Sequence, residues 1–265
     1  MGIPEALQAL VLGAVQGVTE FLPISSTAHL LLVTRWLGWT AVGEKFYVDA
    51  IQFGSVIAVI LYFAQDIRHI LVGSWQGRRD PQCLERKLLI GIAAGTLPTL
   101  IVGYLIKDHL PDQAWVIGIM QVVMALLLAV AERWGSRSRA LKDLEVKDGL
   151  LVGLGQTVAL LPGASRSGCT LTAALGLGLE REAAARFSFL VGIPTLAIAT
   201  LYQSRKAFGS MDDLLLLLTG IASAFVFSYL AIAWLMRFLQ NHSTRGFIIY
   251  RVLLGLGILV SLRIA

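Results

Sequence analysis

Two short polar stretches carry the residue types that could do chemistry. Residues 15–30 read Val-Gln-Gly-Val-Thr-Glu-Phe-Leu-Pro-Ile-Ser-Ser-Thr-Ala-His-Leu. They offer a carboxylate (Glu20), three consecutive hydroxyls (Ser25, Ser26, Thr27) and an imidazole (His29). Ser26 is a candidate nucleophile, His29 a proton carrier, and Glu20 a group to orient or deprotonate. Gln16 lies one helical turn before Glu20, on the same face. Residues 156–170 read Gln-Thr-Val-Ala-Leu-Leu-Pro-Gly-Ala-Ser-Arg-Ser-Gly-Cys-Thr. Here Arg166 stands between Ser165 and Ser167, behind a Pro-Gly turn. Hydroxyls, closely approachable backbone at Gly163 and Gly168, and a planar guanidinium make a cradle for phosphate oxygens.

Both stretches must be broken helices. Pro23 and Pro162 lack an N–H and clash with the preceding turn, and each pushes the residue before it toward extended geometry. The two runs resemble each other: each opens on Gln, passes through apolar residues to Leu-Pro, and turns hydroxyl-rich. Polar, Pro-broken segments at corresponding places in two halves point to a site between repeats. Such groups are costly at membrane depth, so they mark function.

The surrounding sequence is that of an integral membrane protein. Of 265 residues 56% are hydrophobic and 15% charged, against roughly 25% charged in soluble domains. Residues 1–45 hold the first broken segment. Full spans are expected at 46–63, 88–106 and 113–131. The second broken segment occupies 149–179, followed by spans at 180–202, 214–236 and 246–264. Residues 64–87, 132–148 and 237–245 are read as basic loops. The net charge of +5 collects in them, so nucleic acid is not an expected partner. Five of the six Trp (Trp36, Trp39, Trp75, Trp115, Trp134) fall near span ends, as interface anchors do. Cys83 and Cys169 fit no metal spacing or disulfide framework, and the N-terminus carries no removable signal pattern.

The expected fold is all-α, an inverted-topology repeat with six full spans and two broken or re-entrant helix pairs meeting near the midplane. Residues 1–140 form the first repeat and 141–265 the second, within one structural domain. Gly91-Ile92-Ala93-Ala94 echoes Gly220-Ile221-Ala222-Ser223. Three spans per half, an odd number, invert the second half. The loops at 107–112 and 203–213 carry few unopposed cations: Lys107 in one, and Arg205 and Lys206 against Asp212 and Asp213 in the other. The positive-inside rule therefore places the basic loops in the cytoplasm and both termini outside. Asp49 and Gln52 read equally as interhelical hydrogen bonders or site groups, and Arg251, inside the last span, reads as structural.

The paired motifs resemble the two signatures of the undecaprenyl-pyrophosphate phosphatase family of the bacitracin-resistance type, over essentially the whole chain. The resemblance implies removal of the terminal phosphate of a C55 polyprenyl diphosphate at the outer face of the bacterial plasma membrane. That reaction regenerates the lipid carrier of peptidoglycan synthesis, and raised levels confer bacitracin resistance. It implies catalytic roles for Glu20, Ser26, His29 and Arg166. Substrate contacts are implied for Gln16, Ser25, Thr27, Gly163, Ser165, Ser167 and Thr170. The family's first acidic position is Glu or Gln; Gln16 stands there, and an amide is neither base nor anionic ligand. Family members respond to divalent cations, so Mg2+ or Ca2+ bridging Glu20 and the diphosphate is expected, with no organic cofactor. The other expected partners are membrane lipids and, as an option, a second copy in a homodimer. Two mechanisms stay open, a Ser26 phospho-enzyme with His29 carrying the proton, or direct attack by a water activated by Glu20 or His29. Transport of a polyprenyl phosphate lipid is the rival function, since inverted repeats with broken helices are a transporter architecture.

Overall fold

A computed structural model describes residues 4–39, 45–111, 113–204 and 214–264. The expected mixed-charge loop with Arg205, Lys206, Asp212 and Asp213, together with Asp112, lies outside the described residues, as does the side chain of Trp36. Among the described residues the regular structure is helical, with one isolated bridge between Arg139 and Leu179.

The first broken pair is α1 (Glu5–Phe21) and α2 (Ser26–Leu37). The break sits where Pro23 demands it. Leu22 is extended (φ −69°, ψ 143°), and α2 restarts behind Ser25. The second pair repeats this design. Helix α7 (Val146–Thr157) continues through a 3-10 turn at Val158–Leu160 to an extended Leu161, just before Pro162, and α8 (Arg166–Gly176) restarts behind Ser165. The helices α2, α7 and α8 have 12, 12 and 11 residues, well short of the roughly 20 that cross a bilayer.

Five helices are long and apolar enough to span: α5 (Leu84–Ile106), α6 (Ala114–Trp134), α9 (Arg181–Ser204), α10 (Leu214–Asn241) and α11 (Arg245–Ile264). A sixth candidate combines α3 (Lys45–Tyr62) with α4 (Ala64–Gln76), which pass the same test as a pair bent by 59°. This corrects the reading of 64–87 as loop. Ile67 and Ile70 pack against the main apolar core while Arg68 and His69 stay exposed. Arg78 and Arg79 lie in the turn after α4, and Arg86 and Lys87 in the first turn of α5.

Glycine sets how closely the helices approach. Gly13 and Gly17 of α1 lie against Gly220, Ala224 and Ser228 of α10, and a Cβ on either would strike that helix's backbone. Likewise Gly149 and Gly153 of α7 sit on the backbone of Gly91 and Gly95 of α5. Small residues at such seams let dispersion and interhelical hydrogen bonds hold helices together in lipid. The two echoing tetrapeptides are therefore the surfaces that receive the entry helices of the two broken pairs. The α1–α10 and α5–α7 interfaces are joined by α3–α9 packing, while α6 packs on α11 and α8.

Polar clamps close one end of the bundle. Glu132, expected in a loop, is in the last turn of α6. It accepts hydrogen bonds from Arg181 (Nε, 2.9 Å), Arg137 (3.2 Å) and Thr244 Oγ1 (2.8 Å), tying α6 to the starts of α9 and α11. Arg139 grips Asp148 at the start of α7 through two bonds, 3.1 and 2.6 Å. Bidentate Arg–carboxylate pairs of this kind fix geometry as well as adding energy.

Candidate active site

The two breaks meet. Glu20, at the end of α1, is 9% exposed, and its carboxylate has partners on both oxygens. Oε1 accepts from Arg166 Nη2 at 3.1 Å. Oε2 accepts from Ser26 Oγ at 2.8 Å and from Gln16 Nε2 at 3.1 Å. Arg166 opens α8 and also donates from Nη1 to the Gly192 carbonyl in α9 at 2.8 Å. Its Nε is buried without a protein partner. Gly192 went unnoticed in the sequence. A Cβ there would overlap the Arg166 guanidinium, so a bare α-carbon makes room for the cation.

The breaks are also stitched together by side chains that donate to main-chain carbonyls. Ser167 Oγ lies 3.0 Å from the Leu22 carbonyl and 3.3 Å from that of Glu20. Arg251 is fully buried and surrounded by main-chain oxygens: Pro23 (2.9 Å), Gly163 (3.0 Å), Ala164 (3.0 Å), Gln121 (3.3 Å) and Met120 (3.4 Å). Gln121 Nε2 adds a bond of 2.7 Å to the Ile24 carbonyl. Broken helices leave carbonyls without intrahelical donors, and one guanidinium in α11 supplies them for both breaks. Arg251 thus acts structurally, as its place in a span suggests. Gln121 carries no local signal; only the distant break gives it a role.

The two restarts share an unusual backbone. Ser25 has φ 73° and ψ 106°; Ser165 has φ 71° and ψ 114°. A non-glycine residue there costs on the order of 1–3 kcal/mol, and such residues cluster at functional sites. Ser165 Oγ caps α8 by accepting from Gly168 N–H at 3.2 Å.

The remaining site residues divide. Ser25 is buried at the break, and Thr27 is exposed. Thr170 Oγ1 returns to the Arg166 carbonyl at 3.0 Å. Gly163 (φ 90°) lies against the Ile117 backbone and Gly168 against Arg251, so both serve packing at the breaks. His29 does not bond to Glu20 or Ser26. Its Nδ1 faces the Ser25 carbonyl at 2.7 Å and its Nε2 the Tyr250 hydroxyl at 2.6 Å.

Among the described residues there is no cluster of three or more His, Cys, Asp or Glu able to hold a metal by itself. The donor set at Glu20 is nonetheless hard. Gln16 is fully buried with its Oε1 unpartnered, one turn from the Glu20 carboxylate. Carboxylate and amide oxygens are what Mg2+ and Ca2+ accept, with ligand phosphates and water completing the shell.

Fold and site together define a multi-pass helical membrane protein whose polar centre is enclosed between two broken helix pairs. The family model described as bacitracin resistance protein BacA matches residues 9–257, and the chain belongs to that family. It is 58% identical to an undecaprenyl-diphosphatase of Thermosynechococcus vestitus, over 94% of this chain and 93% of that one. It is 51% identical to one from Synechococcus sp. strain JA-3-3Ab (98% and 95%) and 44% identical to one from Trichodesmium erythraeum (96% and 85%).

Proposed function

We propose that this chain hydrolyses undecaprenyl diphosphate to undecaprenyl phosphate and inorganic phosphate, with Ser26 as nucleophile and Glu20 as its base. The carrying observation is the 2.8 Å bond from Ser26 Oγ to Glu20 Oε2, on a carboxylate whose other oxygen meets Arg166. Glu20 takes the hydroxyl proton as Oγ attacks the terminal phosphorus. The bond from phosphorus to the bridging oxygen breaks, and undecaprenyl phosphate leaves. Water then cleaves the phosphoserine, returning Ser26 and releasing phosphate. Arg166 meets the charge that builds on the phosphoryl oxygens with its guanidinium. In this scheme Glu20 takes the proton-accepting role expected of His29.

A divalent cation would be held by Glu20, with Gln16 Oε1 as the neighbouring oxygen, and would supply Lewis-acid polarisation of the diphosphate. Ser25, Ser165 and Thr27 stand around the breaks as groups for the remaining phosphate oxygens.

The halves 1–140 and 141–265 form an inverted repeat in this reading. Its support is the shared backbone at Ser25 and Ser165 and the reciprocal packing of α1 on α10 and α7 on α5. In the same reading α3 and α4 are one bent crossing among six spans, and the positive-inside rule supports a site in the bacterial plasma membrane, open to the outside. Recycling of the lipid carrier for peptidoglycan, and bacitracin resistance, follow from that reaction.

Transport alone has no use for a hydroxyl hydrogen-bonded to a buried carboxylate, and the relatives named above are diphosphatases. Purified protein in detergent, given undecaprenyl diphosphate, should release inorganic phosphate at a rate proportional to enzyme. Lipid movement in proteoliposomes without phosphate release would support the transporter instead.

A further inference from the structure

His29 is held at both ring nitrogens, and neither partner belongs to the Glu20 cluster. A carbonyl oxygen only accepts, so the 2.7 Å contact with Ser25 requires the proton on Nδ1. The neutral ring then has its lone pair on Nε2, and the Tyr250 hydroxyl, 2.6 Å away, donates to it. The two rings stack, with centroids 5.6 Å apart and planes 6° from parallel. Tyr250 sits in α11 beside Arg251, the residue that bonds both breaks. The sequence gives no hint of this role, because an aromatic residue in a span reads as ordinary packing.

We infer that Tyr250 is a positioning residue of the reaction: it holds His29 in one tautomer and one orientation on the Ser25 carbonyl, and so fixes the restart of α2 that presents Ser26 to Glu20. The inference rests on the phosphatase reading of the site. A histidine orienter has a recognised logic: the bond made by one nitrogen decides which proton the other carries or accepts. Here the Ser25 carbonyl sets the tautomer and Tyr250 sets where the free lone pair points. Because Ser25 carries the left-handed backbone of the break, the imidazole is locked to the segment that presents Ser26.

The ring of Tyr250 also walls an apolar groove of about 300 Å³ with Ile24, Trp234, Phe238 and Phe247. Phenylalanine at 250 keeps the wall and the stack and removes only the hydroxyl, which makes it the clean probe.

The test is Tyr250→Phe in the full-length protein in detergent, with three measurements. Steady-state phosphate release should show kcat lowered about tenfold with KM within about twofold, the pattern of lost transition-state geometry. The thermal midpoint should match that of wild type. The 15N spectrum of histidine-labelled protein, with the His29 signals assigned by their loss in His29→Gln, should show the Nε2 resonance moved and the Nδ1 resonance still that of a protonated nitrogen. A kcat within twofold of wild type, an unmoved Nε2 signal, or a fall in kcat matched by a fall in thermal midpoint would each overturn the inference. If wild type released no phosphate at all, the phosphatase reading would fail, while the nitrogen signal would still decide whether Tyr250 holds His29.

Discussion

Glu20 and Arg166 lie 146 residues apart in the chain and meet at 3.1 Å where the two broken helix pairs touch. The pair is largely shut from solvent, with side-chain exposures of 14% for Arg166 and 9% for Glu20. A buried pair of this kind contributes little to stability after desolvation. In the proposed reaction its value lies in placement: a base beside the nucleophile and a guanidinium beside the phosphoryl oxygens, each supplied by a different break.

Arg166→Lys keeps the charge and should still lose most activity. An ammonium is a point charge on a flexible stem and cannot reach the Gly192 carbonyl, Glu20 and a phosphate oxygen from one fixed plane. The expected loss is about 10²-fold or more, mainly in kcat. Turnover near wild type in the lysine variant would remove Arg166 from the mechanism.

Gly192→Ala tests the same cation from the other side. The added methyl overlaps the guanidinium, so Arg166 must shift away from Glu20. We expect a fall in kcat of about tenfold or more, since small misplacements of a positioning group are costly. Gly176→Ala is the control, because its Cβ meets nothing within 4 Å. It should leave activity unchanged. Equal activity in both variants would show that Arg166 has more freedom than its contacts suggest.

Arg251→Leu should fail at the level of the fold. It strips donors from the carbonyls of Pro23, Gly163 and Ala164 in both breaks. Each buried acceptor left unsatisfied costs about 1–3 kcal/mol, so a marked drop in the unfolding midpoint in detergent is expected, along with lost activity. An unchanged midpoint would show that the breaks hold without this residue.

Orientation is open to labelling. In a Cys83→Ala, Cys169→Ala background, single cysteines in the 107–112 turn should react with an impermeant reagent on intact cells. Cysteines in the Ser136–Ala140 region should react only after lysis. The reverse pattern would turn the protein over and close the site to the outside.

How much of this was legible depends on whether a signal is local. Pro23 and Pro162 announce the two breaks, because the missing N–H acts on its own turn. Glu20 and Arg166 stand out because charge is rare and expensive in apolar sequence. The helix at Ala64–Gln76 was hidden, since Asp66, Arg68 and His69 near its start and the basic residues beyond its end read together as one charged loop. Gln121, Gly192 and Tyr250 were not legible at all. Each owes its role to a partner at least 26 residues away, and by itself each is an unremarkable span residue. His29 was read as the proton carrier for Ser26; its bonding to Ser25 and Tyr250 instead depends on how α2 restarts and on where α11 passes.

The central claim is that Ser26, bonded to Glu20, attacks the diphosphate. The most direct measurement is single-turnover phosphate release from undecaprenyl diphosphate by Ser26→Ala, beside Ser25→Ala and Thr27→Ala. The account predicts that Ser26→Ala abolishes release while substrate binding is largely kept. Ser25→Ala and Thr27→Ala should lose at most roughly 10²–10³-fold, the effect of one charge-stabilising donor. Release by Ser26→Ala within about tenfold of wild type would contradict a serine nucleophile and leave direct attack by water in its place.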